Sequence, residues 1–207
     1  PSKQTATQLK GRDKDEEVRE NAEAAPKQRS WRRFGDRPAR RGADYGVVMH
    51  TLMQYVRFES CGGLEDLEGE IRRLTDARVI PAELSDKLDR NAILAFFRTD
   101  LGRKLRTGKY IREFKFSILE DADAYGEGLE GEQILLQGVV DCALVEPDGI
   151  TVVDFKTDYV TDATLDEVLA RYRPQVDTYA RALERIYERK VKGTFLYFFH
   201  LKKLIAV

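Results

Sequence analysis

The sequence predicts an α/β domain: a mixed central sheet flanked by helices. Three observations predict it. Apolar residues recur at helical spacing through the first half of the compact region, the period then shifts to strand-like alternation, and two apolar runs flank a tight-turn sequence. Residues 44–58 read as a helix whose apolar face is Val47, Val48, Leu52, Tyr55 and Val56, with Gly62 and Gly63 beyond its end. Residues 64–77 read as a second, charged helix. Pro81 opens a third, which turns Leu84, Leu88, Leu94 and Phe97 inward. Phe114, Phe116 and Ile118 then alternate with polar residues, which marks a strand, and the acidic stretch 120–132 reads as a loop.

Two apolar runs follow, 134–145 and 150–155. Between them lie Glu146, Pro147, Asp148 and Gly149, a turn signal that makes the pair a hairpin. Thr164 and Glu167 have capping-box spacing ahead of another helix. Pro174 either interrupts that helix or starts a second one carrying Val176, Tyr179, Ala180, Leu183 and Ile186. Residues 193–201 form an aromatic-rich strand, and Lys202 and Lys203 turn it into a last one. The order is α-α-α-β-β-β-α-β.

Composition narrows the function classes. A 207-residue chain with 42% hydrophobic and 34% charged residues fits one globular domain plus an arm. No apolar run approaches the ~20 residues that span a bilayer, and no signal peptide opens the chain. Pro1 in place of Met, and the apolar end at Ala206 and Val207, read as a piece of a longer polypeptide. The net charge of −1 counts against a basic nucleic-acid binder, but the charge is uneven. Residues 27–41 hold seven Lys or Arg and one Asp, whereas 120–132 hold six acids and no base. Residues 1–43 read as a polar, Arg-rich arm or linker with a helix near 15–25, and the compact domain as 44–207. Cys61 and Cys142 lie far apart, give no zinc or iron–sulfur spacing, and read as inert thiols of a reduced cytoplasmic protein. No GxxxxGK[ST] phosphate loop is present, so no ATPase site is visible.

The chemistry concentrates on the hairpin. Asp154 and Lys156, at positions i and i+2 of a strand, share a face. A two-residue loop of Pro147 and Asp148 pairs Asp141 with Asp154, and a loop of Asp148 and Gly149 pairs it with Lys156; either puts Asp141 on that face. Two carboxylates on adjacent strands suit a hard cation. Such a cation polarises a phosphate and lowers the pKa of an attacking water. A lysine beside them orients or deprotonates that water and offsets phosphate charge. The plain alternative is a cross-strand salt bridge at a solvated edge. Taken alone, His50 reads as a hydrogen-bonded helix residue, although it follows Gly46 by four, where a helix could approach a sheet closely. Tyr179 reads as core and Gln175 as surface. Trp31, in the basic arm, is available to stack on a base.

Gly138, Val139, Val140 and Asp141, then Asp154, Phe155 and Lys156, then Gln175 to Tyr179, resemble the motifs of the PD-(D/E)XK nucleases. Gly46 to His50 upstream narrows the resemblance to the RecB-like family, and within it to the C-terminal nuclease domains of the AddA type, over residues 44–200. Residues 5–10 are similar to the segment that opens this domain in the family. The resemblance implies a restriction-endonuclease-like core. It implies His50, Asp141 and Asp154 as ligands of Mg²⁺ (with Mn²⁺ substituting), helped by the backbone carbonyl of Phe155. Lys156 becomes the catalytic base or water-positioner, and Gln175 and Tyr179 hold DNA or the site's hydrogen bonds. Glu113 matches a family glutamate ahead of the hairpin.

The implied function is exonucleolytic hydrolysis of DNA by a bacterial helicase–nuclease that processes double-strand ends for recombinational repair. The partners would be single-stranded DNA from the unwound duplex, helicase domains upstream in the same polypeptide, and a second nuclease-bearing subunit. The second subunit of such machines carries an iron–sulfur cysteine cluster that this chain lacks. The implied setting is cytoplasmic, at the nucleoid, with no membrane. Two rivals stay open: a degenerate nuclease fold that only binds DNA or protein, and a stand-alone exonuclease or junction-cutting enzyme of the superfamily.

Overall fold

The computed structural model describes residues 3–5, 41–121 and 131–207. The expected helix near residues 15–25, Trp31 and most of the acidic loop lie outside them. The elements are β1 (Lys3–Thr5), α1 (Arg41–Tyr55), a 3-10 turn (Phe58–Ser60), α2 (Leu64–Asp76), α3 (Ala82–Ser85), α4 (Arg90–Arg98), α5 (Asp100–Thr107), β2 (Lys109–Asp121), β3 (Gln133–Glu146), β4 (Gly149–Lys156), α6 (Leu165–Tyr187), β5 (Val191–Phe198) and β6 (Lys203–Ala206). The α/β class with a mixed sheet is as predicted. β2, β3 and β4 run antiparallel, β4 and β5 run parallel, and β6 returns antiparallel to β5. β1, in the stretch read as an arm, adds parallel to β3 at residues 135–137.

Two apolar layers enclose the sheet. On one side α1 to α5 pack Leu52, Phe58, Ile93, Phe96 and others against Val153, Phe155, Tyr197 and Phe199. On the other, α6 packs Val176, Tyr179, Ala182 and Leu183 against Phe116, Val140, Val152 and Phe198. Both faces of β4 are covered, and every residue of that strand is buried. A strand apolar on both faces therefore gains nothing by placing Asp154 and Lys156 in it unless they have partners or a task.

Local chemistry corrects three expectations. The single helix expected from Pro81 onward is three helices. Asp89 accepts a hydrogen bond from Ala92 N (2.9 Å) and caps α4, and Thr99 accepts one from Gly102 N (3.0 Å) and caps α5. Cap residues satisfy the otherwise orphaned first amides, so each starts a helix in its own direction. No capping box forms at Thr164, whose hydroxyl bonds to Thr161 N and O and makes no cap bond to α6. Pro174 neither breaks nor starts a helix: α6 runs through it.

A buried ion cluster fastens Arg57, just past the end of α1, to α2. Glu70, 2% exposed, accepts from Arg57 N (2.9 Å), Nε (2.8 Å) and Nη2 (2.5 Å), and from Arg73 Nε (3.0 Å) and Nη2 (2.7 Å). Burial alone would raise its pKa, but the hydrogen bonds from Arg73 and Arg57 outweigh it and bring the pKa down to about 2 from 4.5. A carboxyl whose folded pKa is depressed stabilises the fold above the unfolded value and loses that contribution as the pH falls through the folded one. Glu70→Gln is expected to lower the unfolding free energy at neutral pH by about 2–3 kcal/mol. The gap between variant and parent should narrow by more than half near pH ~3, as read by urea unfolding at both pH values.

Candidate active site

The site lies where β3 parts from β4. Their ladder runs from Glu146↔Gly149 to Cys142↔Val153, so the hairpin loop is Pro147 and Asp148 and the next position brings Asp141 level with Asp154. Beyond this point β4 continues along β5 while β3 continues along β2. The amide of Phe155 donates to Asp141 Oδ2 at 2.9 Å. A side chain thus supplies the acceptor that the departing strand no longer offers.

A second irregularity aims the acids. Glu113 sits in the middle of β2 with φ 49°, a left-handed conformation rare for a residue with a side chain. It lies opposite Asp141, between the pairs Arg112↔Cys142 and Phe114↔Val140. At this step both strands exchange faces. Ile111 and Phe114 pack on the α6 side, as do Val140 and Ala143, although a regular strand would send residues three apart to opposite sides. Strain of this kind persists only where surrounding packing enforces it, and it gathers at functional sites.

On β4, Asp154 and Lys156 project toward α6 in a nearly dry setting, their side chains 3% and 10% exposed. Lys156 Nζ lies 2.5 Å from Asp154 Oδ2, donates to Gln175 Oε1 at 3.1 Å and sits 3.8 Å above the Tyr172 ring. Gln175 Nε2 donates to Tyr179 Oη at 2.6 Å, and Tyr172 Oη donates to Asp158 Oδ2 at 2.8 Å. Gln175 is buried, against its reading as a surface residue, while Tyr179 is core as read. Gly138 makes the row possible: a Cβ there would fall 2.6 Å from the Phe116 ring and 3.2 Å from Tyr179 Cε1.

His50 reaches the site from α1. Its Nδ1 lies 3.6 Å from Asp141 Oδ2. The close approach expected from Gly46 is present, since a Cβ at that position would meet Thr157 Oγ1 at 3.0 Å. Burial lowers the His50 pKa against the pull of Asp154, which favours the neutral ring that can bind a metal.

Among the described residues, no three His, Cys, Asp or Glu side chains stand close enough to hold a metal ion as placed. His50 and Asp141 approach each other, and Lys156 lies against Asp154. The donors nevertheless fit a hard cation. Asp154 Oδ2 is buried and, despite its short contact with Lys156, has no partner in hydrogen-bonding geometry. Burial and then the neighbouring Asp154 push the Asp141 carboxyl well above its usual range, and burial raises that of Glu113. Acids forced together out of water either take up protons or take up a cation.

The family model described as the PD-(D/E)XK nuclease superfamily matches residues 15–205. The chain belongs to the PD-(D/E)XK nuclease superfamily. Among curated proteins it is similar to three that are each named as the A-type subunit of an ATP-dependent helicase/nuclease. It is 34% identical to the one from Thermoanaerobacter sp. (strain X514) over 76% of this chain and 13% of that protein. It is 31% identical to that of Clostridium novyi (strain NT) over 81% and 14%. It is 33% identical to that of Bacillus mycoides (strain KBAB4) over 96% and 17%. The chain thus spans less than a fifth of the length of these relatives.

Sequence reasoning about this PD-(D/E)XK domain missed Tyr172. Its signal was present: Tyr172, Gln175 and Tyr179 stand at i, i+3 and i+7, one face of a helix. Burial raises the pKa of the Cys61 thiol to about 12 and also raises that of Cys142, which agrees with inert cysteines. Gly138→Ala is expected to cost about 1–3 kcal/mol, because the added methyl must displace two rings in a packed core. Thermal unfolding of the variant checks this, and an unchanged Tm would mean that the rings yield freely.

Proposed function

We propose that this domain hydrolyses phosphodiester bonds of DNA with the help of a divalent cation, Mg²⁺ with Mn²⁺ as a substitute. The observation that carries this reading is Asp154, a buried carboxylate in contact with Lys156 and across from Asp141. His50, Asp141 and Asp154 would hold the cation, joined by the Phe155 carbonyl. When bound, it would polarise the phosphate and acidify the attacking water. Lys156 holds its side-chain nitrogen at the scissile position, where the ammonium would orient that water, or the neutral amine would take its proton. Gln175 fixes Lys156 through its carbonyl oxygen, and Tyr179 fixes Gln175. The Tyr172 ring supports the ammonium from beneath, a desolvated cation–π contact. Glu113 adds negative charge on the Asp141 side of the site.

The relatives' names support a nuclease joined to an ATP-dependent helicase. Beyond those names, we propose an exonuclease domain downstream of helicase motor domains, cutting the strand they unwind, in a machine that processes double-strand ends for recombinational repair beside a second nuclease-bearing subunit. No helix among the described residues is long and apolar enough to cross a membrane. We place the domain in the cytoplasm, at the nucleoid, as a compact body 44–207 preceded by a segment 1–43, of which Lys3–Thr5 pair with the body's sheet and the end from Arg41 opens α1.

Asp154→Ala and Lys156→Ala are each expected to abolish cleavage of single-stranded DNA in Mg²⁺ while leaving the fold intact. Only Asp154→Ala should also abolish metal binding, read by calorimetric titration with Mn²⁺. Normal cleavage by Lys156→Ala would contradict its assignment, and a parent protein that binds DNA without cutting it would favour the binding-module rival.

Charge adds a further expectation. Residues 1–45 hold 12 Lys or Arg against 8 Asp or Glu, which leaves residues 46–207 with a net charge of −5. Non-specific affinity for DNA comes mainly from phosphate neutralisation, so such a body needs its substrate delivered. The domain alone should bind single strands weakly at physiological salt. Tight binding with a steep salt dependence would refute delivery.

A further inference from the structure

Past the catalytic end of β4, two exposed rings lie against each other. Because β4 and β5 are parallel and pair Lys156 with Phe198, the chain leaves both strands at the same edge of the sheet. The Phe199 amide donates to the Lys156 carbonyl at 3.0 Å, which locks the two exits together. One residue past Phe199 is His200, and three past Lys156 is Tyr159. Their ring centroids are 4.1 Å apart with the planes tilted by 42°. Tyr159 is 78% exposed, the highest value among the large hydrophobic side chains of the described residues, and His200 is exposed as well.

Single exposed aromatics are ordinary on protein surfaces. This pair differs in being held. Asp158, just before Tyr159, accepts from Tyr172, the residue whose ring lies under the Lys156 ammonium. Val160, just after it, is fully buried. The Tyr159 backbone is therefore pinned on both sides while its ring is left in solvent against a second ring. Cationic groups stand nearby: Arg171 Nη2 lies 3.8 Å from Asp158, Lys202 follows His200 in the turn, and Lys203, at the start of β6, pairs with Asp162 at 2.9 Å. An aromatic surface with cations at its rim, next to a phosphodiester-cleaving centre, has the composition of a platform for an unpaired nucleobase.

We infer that Tyr159 and His200 form a stacking platform for one base of single-stranded DNA, next to the phosphate presented to Lys156. The inference rests on the nuclease reading for its place on the substrate path, and it deepens that reading by naming what selects an unpaired strand. A base still stacked in a duplex offers neither ring a free face. The platform therefore engages only after strand separation, whereas Asp141, Asp154 and Lys156 address the phosphate, which both forms of DNA share.

The test measures binding of a fluorescent oligothymidylate to the full chain by anisotropy at low salt in EDTA, and cleavage of the same strand in Mg²⁺. Tyr159→Ala is expected to weaken binding about 5- to 100-fold, the range of one base–aromatic stack, and His200→Ala to weaken it less. Tyr159→Phe keeps the ring and should stay within about twofold of the parent, which separates stacking from loss of fold. Moving an abasic position along the strand should reveal one place where the parent loses affinity and Tyr159→Ala loses none. Duplex binding should be the same for both proteins. Equal affinity of parent and Tyr159→Ala for single strands overturns the platform, as does a parent that binds no single strand. If the parent cuts DNA and the affinities are equal, the platform alone falls. If the affinities differ as expected but the parent does not cut, the nuclease reading falls and the platform stands.

Discussion

Asp141 has to satisfy the Phe155 amide because β3 leaves β4 one residue beyond Cys142↔Val153. Splitting a ladder inside a protein strands backbone donors, and a buried amide without an acceptor costs on the order of 1–3 kcal/mol. Placing an acid at the fork meets that need and brings a second carboxyl next to Asp154. The structural requirement and the chemical one thus fall on the same atom group. The kink at Glu113 belongs to the same constraint: β2 follows β3 away from the hairpin without losing register, and the positive φ lets both strands exchange faces at that step.

The remaining polar groups are arranged to hold the Lys156 ammonium beside the fork. Taking a lysine out of water costs several kcal/mol unless its protons find acceptors. Lys156 finds the Asp154 carboxylate, the Gln175 oxygen and the Tyr172 ring, three contacts of different chemistry from two elements. Gln175 can serve because Tyr179 accepts from its other end, which sets the side-chain amide with its oxygen toward Lys156. Tyr179 can serve because Gly138 leaves room for its ring. Each member is held by the next, and the row ends in the packed face of α6. A row satisfied in this way keeps the ammonium in one place, which is what positioning a water or a phosphate oxygen requires.

The outline of this arrangement was legible in the residues. Glu146 to Gly149 marked the hairpin, and either two-residue loop within it puts Asp141 with Asp154 and Lys156 because strand periodicity is two, whereas an odd-length loop would have changed the register. The helix carrying Gln175 and Tyr179 was legible from its apolar spacing, although nothing in that spacing says which sheet face it covers, and so Gln175 read as surface. The breaks at Asp89 and Thr99 were missed because apolar periodicity continues across a cap and only the side-chain bond to the next turn marks it. The kink at Glu113 had no signal: alternation of Phe114, Phe116 and Ile118 is regular on one side of it, and a left-handed φ at a glutamate is imposed by packing rather than by local preference. Tyr159 and His200 lie 41 positions apart and meet only because β4 and β5 are parallel neighbours.

His50 shows how the site depends on parts that never touch its chemistry. It belongs to the helical layer, across the sheet from α6, and reaches Asp141 only if α1 lies close against the end of β4. Two contacts set that distance. Gly46 allows the helix to approach Thr157, and Arg112 holds the other end by donating to the Met53 carbonyl at 3.0 Å and the Val56 carbonyl at 2.6 Å. Arg112 is the residue before Glu113, and its guanidinium lies over the Phe58 ring at 4.6 Å. The kink that turns β2 at Glu113 therefore follows directly on the residue that fastens α1. The backbone step that aims the acids and the clamp that positions the histidine occupy neighbouring positions of one strand, so a shift of β2 would move both sides of the site together.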